Sequence, residues 1–101
     1  MAAAILTPRA RRDLLAATRW IAKANPSAAQ GLRKAVAAAA ERISVHPGIG
    51  MVRPEYADEP VRFFVLTGYP YILVYYAAPL PPRIERILHG ARDIPSVLGR
   101  I

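Results

Sequence analysis

The 101-residue chain has no cysteine, which excludes a disulfide framework and any thiolate metal site and suits a reducing compartment. Only two histidines are present, His46 and His89, and they stand far apart with no ligand pattern around either. No zinc site is expected, and no cofactor. Acidic side chains are scarce: seven Asp and Glu face fourteen Lys and Arg, a net charge of +7, and twelve of those cations are arginines. Such a balance favours an acidic partner, whether nucleic acid, acidic protein or anionic surface, and charge by itself does not choose among them. The plain alternative is a set of solvated arginines. Long apolar runs are missing as well. The longest, Tyr71 to Leu80, is about half of what a membrane-spanning helix needs and is rich in strand formers. The apolar start Met1 to Leu6 is too short for a signal peptide, and its arginines follow the run instead of preceding it. A soluble cytoplasmic protein without a membrane partner is expected.

What is present is enough apolar surface for one core. With 53% apolar residues, the chain reads as a single domain over residues 1–101. Thr7-Pro8 is a helix start, because the threonine hydroxyl can accept from free backbone N–H groups and proline at the first helical position sacrifices no hydrogen bond. The first helix is predicted from Pro8 to Ala24, with Ala10, Leu14, Ala17 and Ile21 as its buried stripe and Arg12, Arg19 and Lys23 on another face. Asn25-Pro26 breaks that pattern and opens a second helix reaching Val45, with Leu32, Val36, Ala39 and Ile43 inward. The small side chains of Ala35 to Ala40 allow a close helix–helix approach.

Residues His46 to Pro60 carry prolines, glycines and charges and read as a loop. Strands are predicted at Val61 to Leu66, Tyr71 to Tyr76 and Arg83 to His89, with Thr67 to Pro70 as the turn of a hairpin. The near-continuous apolar run Tyr71 to Tyr76 places that strand centrally. A short first strand at Ala3 to Leu6 and a C-terminal helical turn at Ile94 to Leu98 complete a β-α-α-β-β-β order. The expected fold is α+β, a two-helix hairpin on one face of a small, mainly antiparallel sheet.

Several segments together resemble toxins of the ParE/RelE superfamily. The opening Leu6-Thr7-Pro8-Arg9-Ala10-Arg11-Arg12-Asp13-Leu14 is similar to a strand leading into a helix with an "A..DL" pattern. Ile43 to Gly50 resembles an "I...P..G" segment. Tyr71-Ile72-Leu73-Val74-Tyr75-Tyr76, followed by Ile84-Glu85-Arg86-Ile87-Leu88-His89-Gly90-Ala91-Arg92-Asp93-Ile94, resembles the ParE signature "Y-L-I-F-Y…I-x-x-x-R-V-L-H-G-A-R-D". The order and spacing of these pieces cover nearly the whole chain.

The resemblance implies one of two activities. RelE-type relatives are ribosome-dependent endoribonucleases, which need basic groups to stabilise phosphorane charge and a group for proton transfer. In them an arginine follows the aromatic residue opening the central strand; here Ile72 follows Tyr71. Their late tyrosine falls at Val97 or Leu98, both lysines of this chain lie on the helices, and only Arg92 retains a basic position. The ParE-like pattern instead implies inhibition of DNA gyrase by binding, with cleaved DNA trapped and no chemistry by the toxin. A ribonuclease, or a degenerate toxin kept as a regulatory binding module, are the alternatives.

On this resemblance Arg86, His89, Arg92 and Asp93 are the candidate target contacts, and His89 with Arg92 the catalytic candidates if the protein is a ribonuclease. The structural alternative has His89 ending its strand, with Arg92 and Asp93 holding the C-terminal segment to the sheet. The tyrosines Tyr69, Tyr71, Tyr75 and Tyr76 are expected in the core, and Trp20 between helix and sheet or beneath a partner. The family further implies an antitoxin that binds operator DNA through its N-terminal region and wraps the toxin with its C-terminal part. Arg12, Arg19, Trp20 and Arg33 are its expected contacts.

Overall fold

A computed structural model describes residues 3–58, 60–91 and 93. Its elements follow the order β1 (Ile5–Leu6), α1 (Pro8–Ala22), α2 (Pro26–Val45), β2 (Val61–Val65), β3 (Tyr71–Tyr76) and β4 (Arg83–His89). The helix starts behave as their sequences require. Thr7 Oγ1 accepts from the Ala10 N–H at 3.2 Å and Asn25 Oδ1 from the Ala28 N–H at 3.1 Å, each with a proline entering the first turn. Helix α1 ends two residues earlier than expected, because the Lys23 N–H already turns to the Ile21 carbonyl. The expected C-terminal turn at residues 94–98, and Arg92, lie outside the described residues.

The four strands lie in the order β1-β4-β3-β2, with β1 parallel to β4 and the other pairings antiparallel. Strand β3 is therefore internal, as its apolar run predicts. The first strand is shorter than expected: Ala4 donates its N–H to the Ala40 carbonyl of α2 instead of to the sheet. Strand β2 stops at Val65, since the Leu66 N–H closes the turn onto the Tyr71 carbonyl.

One face of the sheet carries the helices. Tyr71, Leu73, Tyr75, Ile84 and Ile87 pack there against Leu32, Val36, Ala39, Ala40 and Ile43 of α2 and Ala10 and Ala17 of α1. Burying each of the larger aliphatic side chains stabilises the fold by about 1.5–3 kcal/mol. The other face is smaller. Phe63, Val74 and Leu88 are buried there beneath Tyr56 and Ala57 of the long loop, which is tied to β2 by paired hydrogen bonds between Met51 and Phe63.

A bulge sets which face each residue of β4 serves. Val74 pairs with Arg86 but Tyr75 pairs with Ile84, so Glu85 has no residue opposite it. The extra residue reverses the alternation. Ile84 and Ile87, three apart, consequently both face the helices, whereas Leu88 joins the opposite cluster.

Candidate functional site

Strand β1 covers β4 only at Arg83 and Ile84, which exposes the next backbone donors along that edge. Two carboxylates take them up. Asp13 Oδ2 of α1 accepts from the Ile87 N–H at 3.0 Å, and Asp93 Oδ2 accepts from the His89 N–H at 2.9 Å. Asp13 also receives a two-pronged contact from the Arg86 guanidinium, at 2.8 and 3.2 Å, in a site where both side chains are less than one-fifth exposed. This hydrogen bond to Asp13 raises the Arg86 pKa further above its ordinary value, against the opposing effect of desolvation. Arg86, expected as a target contact, is thus engaged in joining α1 to β4. The tie also protects the open edge from pairing with another strand.

His89 closes β4 with its ring edge-on to Tyr71, centroids 5.5 Å apart. Besides holding the His89 N–H, Asp93 returns its own N–H to the His89 carbonyl at 2.8 Å. His89 and Asp93 therefore form a closed turn at the sheet's end. Ile72 pairs with Leu88 and packs beside Phe63 and Val74, so the position that carries an arginine in RelE-type ribonucleases lies in an apolar environment here. Among the described residues no cluster of three or more His, Asp or Glu could hold a metal ion.

A second feature is the groove along the helical hairpin. An open depression of about 620 Å³ is lined by Ile5, Leu6, Arg11, Leu14, Leu15 and Arg33, and another of about 300 Å³ by Thr18, Arg19, Ala22, Ala29, Gln30 and Arg33. Arg33 belongs to both. Ile5 and Leu15 are 48% and 41% exposed, so the floor offers apolar surface to solvent between arginines. Of the four expected antitoxin contacts, Arg19 and Arg33 line this groove and Arg12 and Trp20 do not. The expectation that Trp20 packs between helix and sheet is corrected: it is 64% exposed, with the Lys23 ammonium 5.3 Å from its ring centre. Arg11 is one of the arginines that the sequence places on the exposed side of α1, whereas Leu15 was not singled out from sequence. The available signal was Leu15 itself, an apolar residue off the buried stripe of α1.

The third feature locks the loop that follows α2. Tyr75, fully buried, donates its hydroxyl to the Pro47 carbonyl at 2.6 Å and accepts the Gly50 N–H at 2.8 Å. Arg62 reinforces the loop by donating to the Gly48 and Gly50 carbonyls at 3.2 and 2.8 Å. A Cβ at Gly50 would come within 2.7 Å of the Tyr75 ring and 3.0 Å of the Phe63 carbonyl, so glycine is what allows this approach. Burial pushes the Tyr75 hydroxyl above its ordinary pKa of 10.0, outweighing the lowering effects of the Gly50 N–H and the Arg62 charge.

Two consequences are expected from this latch. Tyr75→Phe leaves a buried N–H and carbonyl without a partner and destabilises by about 2 kcal/mol in urea unfolding. Because the folded-state pKa is the higher one, the Tyr75 contribution is complete below pH 10 and is lost as pH rises through the folded-state value. Unfolding midpoints measured from pH 8 to 11 should therefore fall less steeply in the phenylalanine variant.

A helical hairpin on one face of a four-stranded mixed sheet, an α+β fold, is what the geometry defines. The family model described as "ParE toxin of type II toxin-antitoxin system, parDE" matches residues 4–94, and the chain belongs to this family of type II toxins. It is 34% identical over 85 residues to "Toxin RelE3" of Caulobacter vibrioides (strain ATCC 19089 / CIP 103742 / CB 15), covering 84% of this chain and 90% of that one. A solved structure, "Chromosomal ParDE TA system from P. aeruginosa", shares the fold with a TM-score of 0.71 at 21% identity, over 88% of this chain and 96% of the other. The two family names, ParE and RelE, do not separate gyrase inhibition from RNA cleavage. Among the described residues no helix is long and apolar enough to cross a membrane.

Proposed function

We propose that this toxin acts by binding DNA gyrase and holding DNA in its cleaved state, and that a cognate antitoxin neutralises it. The observation that carries the reading is Ile72, set in an apolar cluster where a ribonuclease of this superfamily requires a cation. A transferred phosphate there would find no counter-charge. The His89–Asp93 turn fits the same view, since the hydrogen bonds between these two residues organise the end of the sheet. Target contact is assigned to the surface around His89 and Asp93, with Arg86 supporting it from within the fold and Arg92 added as the candidate that the sequence motif supplies.

The antitoxin seat is assigned to the hairpin groove, where Arg11, Arg19 and Arg33 flank Ile5 and Leu15. This pattern suits an amphipathic acidic segment that is disordered alone and folds on docking. Operator DNA would then be bound through the antitoxin.

The test is a supercoiling reaction with purified gyrase, ATP and relaxed plasmid. Free toxin is expected to abolish supercoiling and leave double-strand breaks, and toxin bound to its antitoxin is expected to do neither. Normal supercoiling at excess toxin would sink the proposal. Cleavage of mRNA on translating ribosomes would establish the ribonuclease reading, for which the relative's name Toxin RelE3 speaks.

A further inference from the structure

Beside the groove, the outer face of α1 carries a row of further cations that the groove leaves unused. At 100° per residue, Arg9, Arg12 and Lys23 fall within roughly 60° of one another, with Trp20 beside them and Arg19, which also lines the groove, at the boundary between the two surfaces. Ala10 and Ala17, which point into the core, lie on the far side. Arg9, Arg12, Arg19 and Lys23 are all exposed, and the three arginines have no acidic partner among the described residues. The single carboxylate of α1, Asp13, is taken by Arg86. From Arg9 to Lys23 the row extends about 21 Å, at 1.5 Å per residue.

We propose that this outer face of α1 binds the phosphodiester backbone of double-stranded nucleic acid, so that the toxin itself touches the duplex. Charge complementarity selects the partner. A row of cations without an apolar ridge suits a polyanion whose charges recur every ~1.7 Å of duplex axis, and neutralising them releases condensed counterions. An acidic amphipathic peptide needs apolar floor between its charges, which the neighbouring groove supplies and this face lacks. An anionic membrane would require an apolar face free for insertion, and that of α1 is buried in the core. Trp20, the sole tryptophan of the chain, lies 64% exposed at the edge of the row and would be covered by a bound duplex. The inference does not depend on gyrase being the target.

The experiment measures anisotropy of a fluorescent 20-base-pair duplex against full-length toxin at several salt concentrations, together with Trp20 emission. Two triple variants remove the same charge: R9Q/R12Q/K23Q on the face, and K34Q/R42Q/R83Q elsewhere. Both should keep the wild-type melting temperature, as the positions are exposed. Binding is expected to weaken at least tenfold in the first variant, with the slope of log K against log salt reduced by about 3, while the second changes little. Trp20 emission should change as wild-type toxin saturates. Equal losses in the two variants, unchanged emission at saturation, or no binding at low salt would overturn the proposal. So would polyglutamate binding as tightly as the duplex with the same dependence on Arg9, Arg12 and Lys23, which would make the face a general seat for acidic chains.

Discussion

Asp13→Ala is expected to lower stability by about 3 kcal/mol in urea unfolding, more than loss of an exposed ion pair would cost. The substitution leaves the Arg86 guanidinium and the Ile87 N–H without their acceptor at a site where both side chains are largely buried. Two further variants separate these effects. Asp13→Asn keeps an oxygen for the Ile87 N–H and should lose less. Adding Arg86→Met to Asp13→Ala should recover part of the loss, since it removes the uncompensated charge. If Asp13→Ala unfolds at the wild-type urea concentration, the carboxylate does not hold α1 to β4.

A second large effect is expected in partner binding. The double charge reversal Arg19→Glu with Arg33→Glu should weaken the complex with cognate antitoxin about a hundredfold, which corresponds to about 2.7 kcal/mol. Both arginines line the groove in which the acidic segment is proposed to dock, and like charges facing each other across an interface cost several kcal/mol. The toxin's own melting temperature should hardly move, because both side chains are exposed. Calorimetric titration of full-length antitoxin would measure the change, with Arg83→Glu as a charge-reversal control on exposed β4 surface. Equal affinities for wild type and the double variant would place the antitoxin elsewhere.

How far the sequence could be read depended on the range of each interaction. The ends of both helices at Pro8 and Pro26 came from local chemistry, a capping side chain followed by proline, and the inward stripe Leu32, Val36, Ala39 and Ile43 came from one period. Strand β4 is different. Strict alternation from Ile84 puts Arg86 on the helix side and Ile87 away from it, whereas the bulge at Glu85 sends Ile87 inward. No local pattern announces that extra residue, since it arises from register against β3.

The candidate site divides in the same way. The segment from Leu88 to Asp93 was visible as a family-like motif, and the described part of it forms the end of the sheet. Which of its two expected places Trp20 takes was not visible, because an aromatic residue in an amphipathic helix can pack inward or await a partner until its neighbours are placed. The arginines were visible as an excess of charge but not as three populations: Arg86 tied to Asp13, Arg19 and Arg33 in the groove, and Arg9 and Arg12 on the outer face.

By itself, then, the sequence determined the order of elements, the helix boundaries to within two residues, the inward stripes and the membership of a toxin family. These rest on interactions between residues close along the chain, or on motifs carried in order. Tertiary structure alone decided the edge pairing of Asp13 with Ile87 and Arg86, the face of each β4 side chain and the sorting of the cations. Each depends on elements far apart in sequence meeting in space, as Asp13 and Arg86 do across 73 positions, and periodicity carries no information about such a meeting.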